Sequence, residues 1–464
     1  MKLKRLLVRF YPPGLIMEVQ HKSGDTRTRT IDLFHISAPD ADVEAIASNV
    51  VEQESPLLTK KHKAVLMRLI VRLMDKQRIL TSDIRYELIK VQPTHILPLT
   101  NCAWSKDGSQ FITASYDRTC KVWNSWGNGG TDPILVLDGV HSNVVYALSF
   151  NNPFSDRIIT GSFDGTAVLW NAKSGEPLAE LKGHCGEIVC VSFSQNGRYC
   201  ATGSMDCSAN IFSTDDSGQL LSRLIGHSGE IVSVQFSSDS ARIITGSFDT
   251  TARVWDARSG ACLCVLQGHE GEISAALFSF TGDLCATSSI DCSVRLWDSN
   301  SGNCLDVLQG HSDEVLDVCF NLVGSRLASA SSDTTARIFN ATTGACVAIL
   351  SGHQGEVSRI SFSPNGGLVV TASTDRTCRV WSPSGECIQV LDGHSQEVFC
   401  CGFNYEADLI FTASKDNTVR VYQARASSVK SNNRPRALSS LDSIGTPIGL
   451  EDAAYRLRAS DDFT

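Results

Sequence analysis

Polar side chains interrupt the apolar segments of residues 84–423 at a regular interval. A histidine returns eight times, at spacings of 46, 43, 43, 42, 42, 42 and 41 residues. Each histidine is followed by an Asp in a tight polar turn, and an aromatic residue comes six positions after each Asp. A repeat of about 40–45 residues that runs from Gly-His to Trp-Asp is typical of a four-stranded propeller blade. The pattern therefore predicts a mainly β fold built on an eight-bladed β-propeller.

Each repeat carries the same set of four side chains, because a Ser or Thr also stands four residues before each Asp. In WD-repeat proteins, which this pattern resembles, the four side chains form a buried chain of hydrogen bonds from Asp to His to Ser/Thr to Trp. Such a chain has to be fully paired, since a buried polar atom without a partner is costly. Five sets are complete: His95, Thr113, Asp117 and Trp123; His141, Thr160, Asp164 and Trp170; His227, Thr245, Asp249 and Trp255; His269, Thr287, Asp291 and Trp297; His353, Thr371, Asp375 and Trp381.

The other three repeats replace Trp by Phe212, Phe339 and Tyr422. We expect these blades to pack with a shorter network, in which only the tyrosine offers a hydroxyl. Eight of the eleven histidines thus occupy one structural position, each in its own blade. A metal or catalytic site needs its residues together. We therefore predict no catalytic residues, no cofactor and no metal site.

The last repeat ends at its third strand, Val419–Tyr422, without an outer strand after it. The segment Ile84–Val91 precedes His95 as an outer strand should. We expect the two ends of the propeller, residues 81–423, to interlock in one blade, because an open strand edge invites foreign pairing.

Residues 1–80 lack the repeat and carry a net charge of +5, against −15 for residues 81–423. Lys2–Phe10, Leu15–Gln20 and Thr26–Leu33 read as strands. A helix capped by Asp40 should run to about Glu54, and a second helix should follow with one apolar face. We predict a small α+β N-terminal domain.

The tail, residues 424–464, is rich in Ser, Ala and Arg and has little apolar periodicity. This composition predicts a disordered C-terminal tail. Within it, Ser439 ends a sequence of the form Arg-x-Arg-x-x-Ser, which suits a basophilic kinase.

Composition limits the environment and the partners. Seventeen cysteines without a C-x-x-C pair favour reduced thiols in the cytoplasm. We expect neither a secretory signal nor a membrane-spanning segment. The acidic propeller argues against nucleic acid as a partner. We predict a monomer that binds other proteins.

Three groups of residues are candidates for protein binding. Large apolar residues stand just before the turn Asp of blades 1–5 and form what we call the apolar arc, on the face that bears the Asp turns (the top face): Tyr116, Phe163, Met205, Phe248 and Ile290. Six carboxylates, each three residues after its histidine, form the acidic arc at one mouth of the channel: Glu187, Glu230, Glu272, Glu314, Glu356 and Glu397. Basic residues of the second helix should line a cleft between the two domains: Lys60, Lys61, Arg68 and Arg72.

The N-terminus and the first blades resemble the dynein assembly factors with WD repeats. The resemblance lies in Met1–Leu7, Tyr11–Gly14, His95–Asn101, Asn143–Tyr146 and Asn151–Pro153, and we expect it to extend over about residues 1–423. It implies a non-enzymatic cargo adaptor that links preassembled outer-arm dynein to complex B of the intraflagellar transport train. It also implies a location in the cytoplasm, at the basal body and in the cilium or flagellum.

Two other classes of protein remain open. Trp255-Asp256-Ala257-Arg258 fits the W-D-x-R pattern of substrate receptors of cullin-type ubiquitin ligases. An enzyme with a propeller fold is disfavoured, because no polar cluster stands apart from the repeat.

Overall fold

The computed structural model describes residues 2–9, 14–20, 26–33, 42–55, 57–58, 62–79, 84–105, 108–125, 132–151, 155–426 and 454–455. By internal contacts the chain divides into two compact units, Met1–Arg85 with Arg425–Thr464, and Tyr86–Ala424. The division falls at residues 85 and 424, against the predicted boundaries at 80 and 423.

The first unit is a small α+β domain. An antiparallel meander of β1 (Lys2–Arg9), β2 (Gly14–Gln20) and β3 (Thr26–Asp32) is followed by two helices, α1 (Val43–Gln53) and α2 (Lys63–Ile79). Met17 and Val19 of the sheet share one buried cluster with Leu66 and Ile70 of α2. The clustered residues recur with period two in the strands and at three- to four-residue spacing in the helix, so each element buries one face. Neither described helix is long and apolar enough to cross a membrane.

The first helix begins later than the sequence suggested. Its cap is Asp42, whose carboxylate accepts hydrogen bonds from the backbone N–H groups of Glu44 and Ala45 at 2.9 and 3.3 Å. An N-cap side chain must reach the free N–H groups of the first turn. The predicted cap, Asp40, lies outside the described residues.

The second unit is the propeller. One strand, β4 (Ile84–Pro93), precedes the first blade. Blades 1 to 4 consist of β5 (Leu99–Trp104), β6 (Gln110–Ser115), β7 (Cys120–Asn124) and β8 (Leu135–Leu137); β9 (Val145–Phe150), β10 (Arg157–Ser162), β11 (Ala167–Asn171) and β12 (Pro177–Leu181); β13 (Ile188–Phe193), β14 (Tyr199–Ser204), β15 (Ser208–Ser213) and β16 (Leu220–Ile225); β17 (Ile231–Phe236), β18 (Arg242–Ser247), β19 (Ala252–Asp256) and β20 (Cys262–Leu266).

Blades 5 to 8 repeat the same meander. They consist of β21 (Ile273–Phe278), β22 (Leu284–Ser289), β23 (Val294–Asp298) and β24 (Cys304–Leu308); β25 (Val315–Phe320), β26 (Arg326–Ser331), β27 (Ala336–Asn340) and β28 (Cys346–Leu350); β29 (Val357–Phe362), β30 (Val369–Ser373), β31 (Cys378–Trp381) and β32 (Cys387–Leu391); β33 (Val398–Phe403), β34 (Leu409–Ser414), β35 (Thr418–Ala426) and β4.

The apolar core of the propeller lies between blades. In one cluster, Ile338 and Leu350 of blade 6 pack with Val357, Phe362 and Trp381 of blade 7, and all five are almost fully buried. From blade 1 to blade 8 the first strand of each blade contacts the first strand of the next. Between blades 8 and 1, Nε1 of Trp104 in β5 donates to the carbonyl of Gly402 in β33 at 3.3 Å, so these eight strands form the inner wall of the ring. Each blade is therefore stabilised mainly by burial of apolar surface against its neighbours.

The ring closes as predicted, because β4 supplies the outer strand of blade 8. The backbone N–H of Tyr86 donates to Oε1 of Gln389 at 2.8 Å, and the Tyr86 hydroxyl donates to the carbonyl of Ala407 at 2.8 Å. The first and last strands of the propeller thus complete one sheet, and the prediction of interlocked ends is confirmed.

Little of the tail lies within the described residues. Residues 424–426 continue β35, and a two-residue strand, β36 (Ala454–Tyr455), pairs with Leu6 and Leu7 of β1. No pattern in the tail predicts that pairing. The remainder of the predicted disordered tail, with Ser439, lies outside the described residues.

One buried amide in blade 3 gives a stability prediction. Asn210 is completely buried, and neither its nitrogen nor its oxygen has a hydrogen-bond partner in the part of the chain that the structure describes. It pairs opposite Thr202, as Val168 pairs opposite Thr160 in blade 2. A buried unpaired polar group costs about 1–3 kcal/mol. We therefore expect Asn210→Val to raise the free energy of unfolding in urea by about 1 kcal/mol.

The reverse change provides the control for Asn210. Val168→Asn introduces an amide at the equivalent position of blade 2, so it should lower the free energy of unfolding. A loss of stability in Asn210→Val would show that the amide has an acceptor or donor, such as a buried water.

Candidate functional site

Each blade contains a buried network of hydrogen bonds, and the network of blade 7 is complete. Nδ1 of His353 lies 2.8 Å from a carboxylate oxygen of Asp375, and Nε2 lies 2.8 Å from Oγ1 of Thr371. Nε1 of Trp381 donates to the same Oγ1 at 2.8 Å. The complete set recurs in blades 1, 2, 4 and 5. Each network ties the loop before a blade to the turn between its second and third strands.

Three blades have a shorter network. Blades 3 and 6 keep the contacts of His184 and His311 with Asp and Thr or Ser, while Phe212 and Phe339 are buried without a polar group. In blade 8 the hydroxyl of Tyr422 donates to the carbonyl of Asp392 at 3.4 Å. The eight histidine side chains are at most 2% exposed.

The turn Asp accepts more hydrogen bonds than the set of His, Ser/Thr, Asp and Trp alone predicts. Besides His353, Asp375 accepts from the backbone N–H groups of Gln354 and Thr377 and from the Thr377 hydroxyl, at 2.7–3.1 Å. Burial alone would raise the pKa of Asp375, but the bonds from Thr377, His353 and Gln354 outweigh it and lower the pKa to about 2. Burial lowers the pKa of His353, although Asp375 opposes that effect. When Asp375 is ionised and His353 is neutral, the histidine carries its proton on Nδ1, and this N–H donates to the carboxylate.

Each of these side chains is paired within the network of its own blade. Among the described residues, no group of three or more His, Cys, Asp or Glu side chains is placed to hold a metal ion. The role of the network is to fix the conformation of the turn, because a buried network in which every polar group is paired permits one geometry.

The turns present the residues of the apolar arc. Tyr116, Met205 and Phe248 are exposed, with Tyr116 at 44%, while Phe163 and Ile290 are half-buried. In blades 6–8 the same position holds Ser332, Thr374 and Lys415. The arc is therefore a run of accessible apolar side chains on five consecutive blades.

Sequence reasoning missed further apolar groups beside blades 1 and 2. Tyr146 stacks on Phe163, with ring centroids 5.1 Å apart, and is itself exposed. Ile96 and Leu97, in the loop before blade 1, are also exposed, Ile96 at 87%. One sequence signal could have indicated this apolar region. In blades 1 and 2 the position three residues after the histidine holds Pro98 and Val144, whereas blades 3–8 have Glu there.

The acidic arc lies directly beside these turns. In blades 3 to 8 the backbone carbonyl of the Glu accepts from the N–H of the residue before the turn Asp, at 2.9–3.0 Å. In blade 8, Lys415 forms an ion pair with Glu397. No other member of the arc has a side-chain partner among the described residues. The side chains of Glu272, Glu314 and Glu356 are exposed, so the uncompensated negative charge is concentrated on blades 5–7.

The basic residues of the N-terminal domain are only partly described. Arg68 and Arg72 are exposed on α2, while Lys60 and Lys61 lie outside the described residues. Lys63 of the same helix forms an ion pair with Glu44 of α1 at 2.8 Å. Arg68 and Arg72 thus stay available to solvent on a helix whose opposite face is buried.

Comparison with known proteins agrees with this geometry. A family model described as "WD domain, G-beta repeat" matches residues 86–124, 132–171, 175–213, 218–256, 260–298, 302–340, 344–382 and 385–423. A crystal structure of the computationally designed Ika8 protein is similar, with a TM-score of 0.65 and 28% identity over 73% of this chain and 100% of that chain.

Two curated relatives are similar over part of their length. A mouse protein named "Dynein assembly factor with WD repeat domains 1" is 46% identical over 194 residues, which are 42% of this chain and 45% of that protein. The protein of the same name from Xenopus laevis is 47% identical over 195 residues, with the same shares. The expected resemblance is confirmed, but the match is shorter than residues 1–423 and spans less than half of each relative. Neither relative supports a cullin-type receptor.

Proposed function

Because the chain belongs to the family of WD-domain, G-beta repeat proteins, we propose that it is a non-enzymatic adaptor. In this role it couples preassembled outer-arm axonemal dynein to complex B of the intraflagellar transport machinery, for import into cilia or flagella. The names of the mouse and frog relatives support the dynein part of the proposal. The transport part rests on the resemblance of the N-terminus and first blades. The protein would act in the cytoplasm, at the basal body and in the cilium.

The apolar arc is the observation that carries a binding role. Isolated apolar side chains are normal on a protein surface, but a contiguous group marks an interaction site. Here Tyr146 extends the arc, because its ring stacks on that of Phe163. A turn fixed by a buried network holds each arc residue in place before a partner arrives, which reduces the entropic cost of binding. We assign the arc to a protein partner, with Tyr116, Phe163 and Phe248 as anchors.

The acidic arc and the N-terminal domain add electrostatic selection. Unpaired carboxylates on blades 5–7 favour a partner segment with basic residues, and its binding weakens as salt rises. Arg68 and Arg72 favour an acidic surface on a second partner. One protein can in this way hold cargo and carrier through surfaces of opposite charge.

The test is binding of both assemblies by variants of the intact chain. We expect the double variant Tyr116→Ala, Phe248→Ala to bind the partner of the apolar arc more weakly, by about 1–3 kcal/mol for each anchor that the partner buries. Affinity purification from ciliated cells, followed by quantification of axonemal dynein subunits and complex B subunits, measures the loss.

Two further variants make the result specific. Leu305→Ala with Leu263→Ala removes exposed side chains from outer strands and should leave binding unchanged. Arg68→Glu with Arg72→Glu tests the N-terminal surface separately. Normal recovery of dynein and complex B by the Tyr116, Phe248 variant would reject the apolar arc, and recovery of cullin adaptors instead of dynein would reject the function.

A further inference from the structure

The wall of the central channel contains one pair of charged residues. The eight inner strands, β5, β9, β13, β17, β21, β25, β29 and β33, are otherwise built from apolar and uncharged polar residues. The exceptions are Asp317 in β25 and Arg359 in β29, on neighbouring blades 6 and 7. A charge in such a wall is costly unless it is paired or has a ligand.

A bulge directs both side chains. The register of each inner strand shifts at its start, between Val315 and Asp317 in β25 and between Val357 and Arg359 in β29. Such an irregularity re-aims the side chain that follows it. The side chain of Asp317 is 11% exposed, whereas that of Arg359 is 54% exposed although its strand belongs to the inner wall. Arg359 therefore extends into the channel.

Asp317 orients the arginine without saturating it. One carboxylate oxygen of Asp317 accepts from the backbone N–H of Ile360 at 3.0 Å, and the same oxygen lies 3.5 Å from Nε of Arg359. Burial raises the pKa of Asp317, while Arg359 opposes that effect. No other polar partner of Arg359 occurs among the described residues. Both terminal nitrogens of the guanidinium are thus free to donate.

The aromatic groups of blade 2 border the same end of the channel. Arg359 follows Glu356 of the acidic arc by three residues, which places it near the top face. Tyr146 lies at the bulge that begins β9, as Arg359 lies at the bulge that begins β29, so both residues stand at the same end of the inner wall. The site therefore combines a guanidinium fork with the stacked rings of Tyr146 and Phe163.

The charges select the ligand. The two terminal nitrogens of an arginine match the two oxygens of a carboxylate. A doubly charged phosphate would leave negative charge uncompensated, because Asp317 already neutralises part of the arginine. The acidic arc at the mouth also disfavours further acidic groups, so residues that flank the carboxylate have to be neutral or basic.

We propose that Arg359 makes the top of the channel a carboxylate-binding site, which receives a single acidic side chain or chain end of a partner polypeptide, with Tyr146 and Phe163 packing on its neighbour. The site does not depend on the partner being dynein or a transport protein.

Site-specific photocrosslinking tests the proposal. Tyr146 is replaced by p-benzoyl-phenylalanine in the full chain, the protein is irradiated in extract of ciliated cells, and the crosslinked segment is mapped by mass spectrometry. The same probe at Leu305, an exposed position on the outer strand β24, controls for background. We expect a segment that contains one Asp, Glu or C-terminal carboxylate, and the mapped position tells a side chain from a chain end.

Variants of the arginine decide the outcome. Arg359→Gln in the Tyr146 probe should reduce the crosslink at least tenfold, and Arg359→Lys, which keeps the charge without the fork, should retain part of it. No crosslink above the Leu305 control, a segment without a carboxylate, or a yield unaffected by Arg359→Gln would each overturn the proposal. A carboxylate segment from a protein other than dynein or complex B supports the channel site while counting against that part of the proposed function.

Discussion

Acidification from about pH 7.5 to about pH 5.5 should lower the free energy of unfolding of the propeller by several kcal/mol. Burial lowers the pKa of seven network histidines below the ordinary value: His141, His184, His227, His269, His311, His353 and His394. The unfolded chain protonates its histidines near pH 6.5, whereas these seven protonate at a lower pH in the folded chain. Unfolding therefore takes up protons below that pH, and acid favours the unfolded state.

The carboxylates of the same networks do not act in this window. Hydrogen bonds hold the pKa of Asp249, Asp375 and Asp416 at about 2. A lowered pKa contributes stability that is present above the ordinary value for Asp, about 3.9, and is lost only as the pH falls towards 2. Between pH 7.5 and 5.5 the expected loss of stability comes from the seven histidines, at up to about 1.4 kcal/mol for each histidine and pH unit.

Urea unfolding at several pH values measures the effect, with tryptophan fluorescence as the signal because five network tryptophans are buried. Nitrogen chemical shifts of labelled histidine should show that these seven rings protonate at a lower pH in the folded protein than in the unfolded chain. An unfolding free energy that stays constant down to pH 5.5 would contradict the lowered pKa of the buried histidines.

Removal of one network carboxylate should destabilise the protein by about 3–5 kcal/mol, because Asp375→Ala leaves several buried donors without an acceptor. His353, Gln354 and Thr377 all donate to this side chain. Asp375→Asn retains the shape and one acceptor oxygen, so we expect an intermediate loss. Denaturant unfolding of the three proteins gives the values.

An exposed ion pair provides the matched control. Asp216 lies 3.3 Å from Arg157 and its side chain is 76% exposed. A pair of this kind contributes about 1 kcal/mol at most. Asp216→Ala should therefore change stability far less than Asp375→Ala, and equal losses would show that the buried network adds nothing beyond an ordinary surface contact.

The repeat made the propeller predictable. Eight equivalent histidine and Asp positions fixed the number of blades, and the missing outer strand after Val419–Tyr422 pointed to Ile84–Val91 as its replacement. Both predictions depend on spacing alone, which is visible in a sequence. The same holds for the apolar arc, since its residues are defined by their distance from the turn Asp.

Features that depend on local backbone geometry or on long-range pairing could not be predicted from the sequence. Tyr146 and Arg359 lie on inner strands whose alternation is broken by a bulge, so a simple period of two does not reveal which side chains face the channel. The cap of α1 was assigned to Asp40, although Asp42 reaches the free N–H groups. Pairing of Ala454–Tyr455 with β1 is a long-range contact without a local signal.

The closing strand imposes an order on synthesis. β4 leaves the ribosome before any blade exists, yet its tyrosine hydroxyl binds a carbonyl 321 residues further along the chain. Until β35 is made, β4 has no strand to pair with and blade 1 exposes the apolar face that packs against blade 8. Unpaired strands and exposed apolar surfaces of this kind recruit other chains. We expect a chain truncated before β35 to lose the pairing that completes blade 8. We therefore expect the nearly finished ring to be prone to aggregation until the last strands of the repeat have emerged.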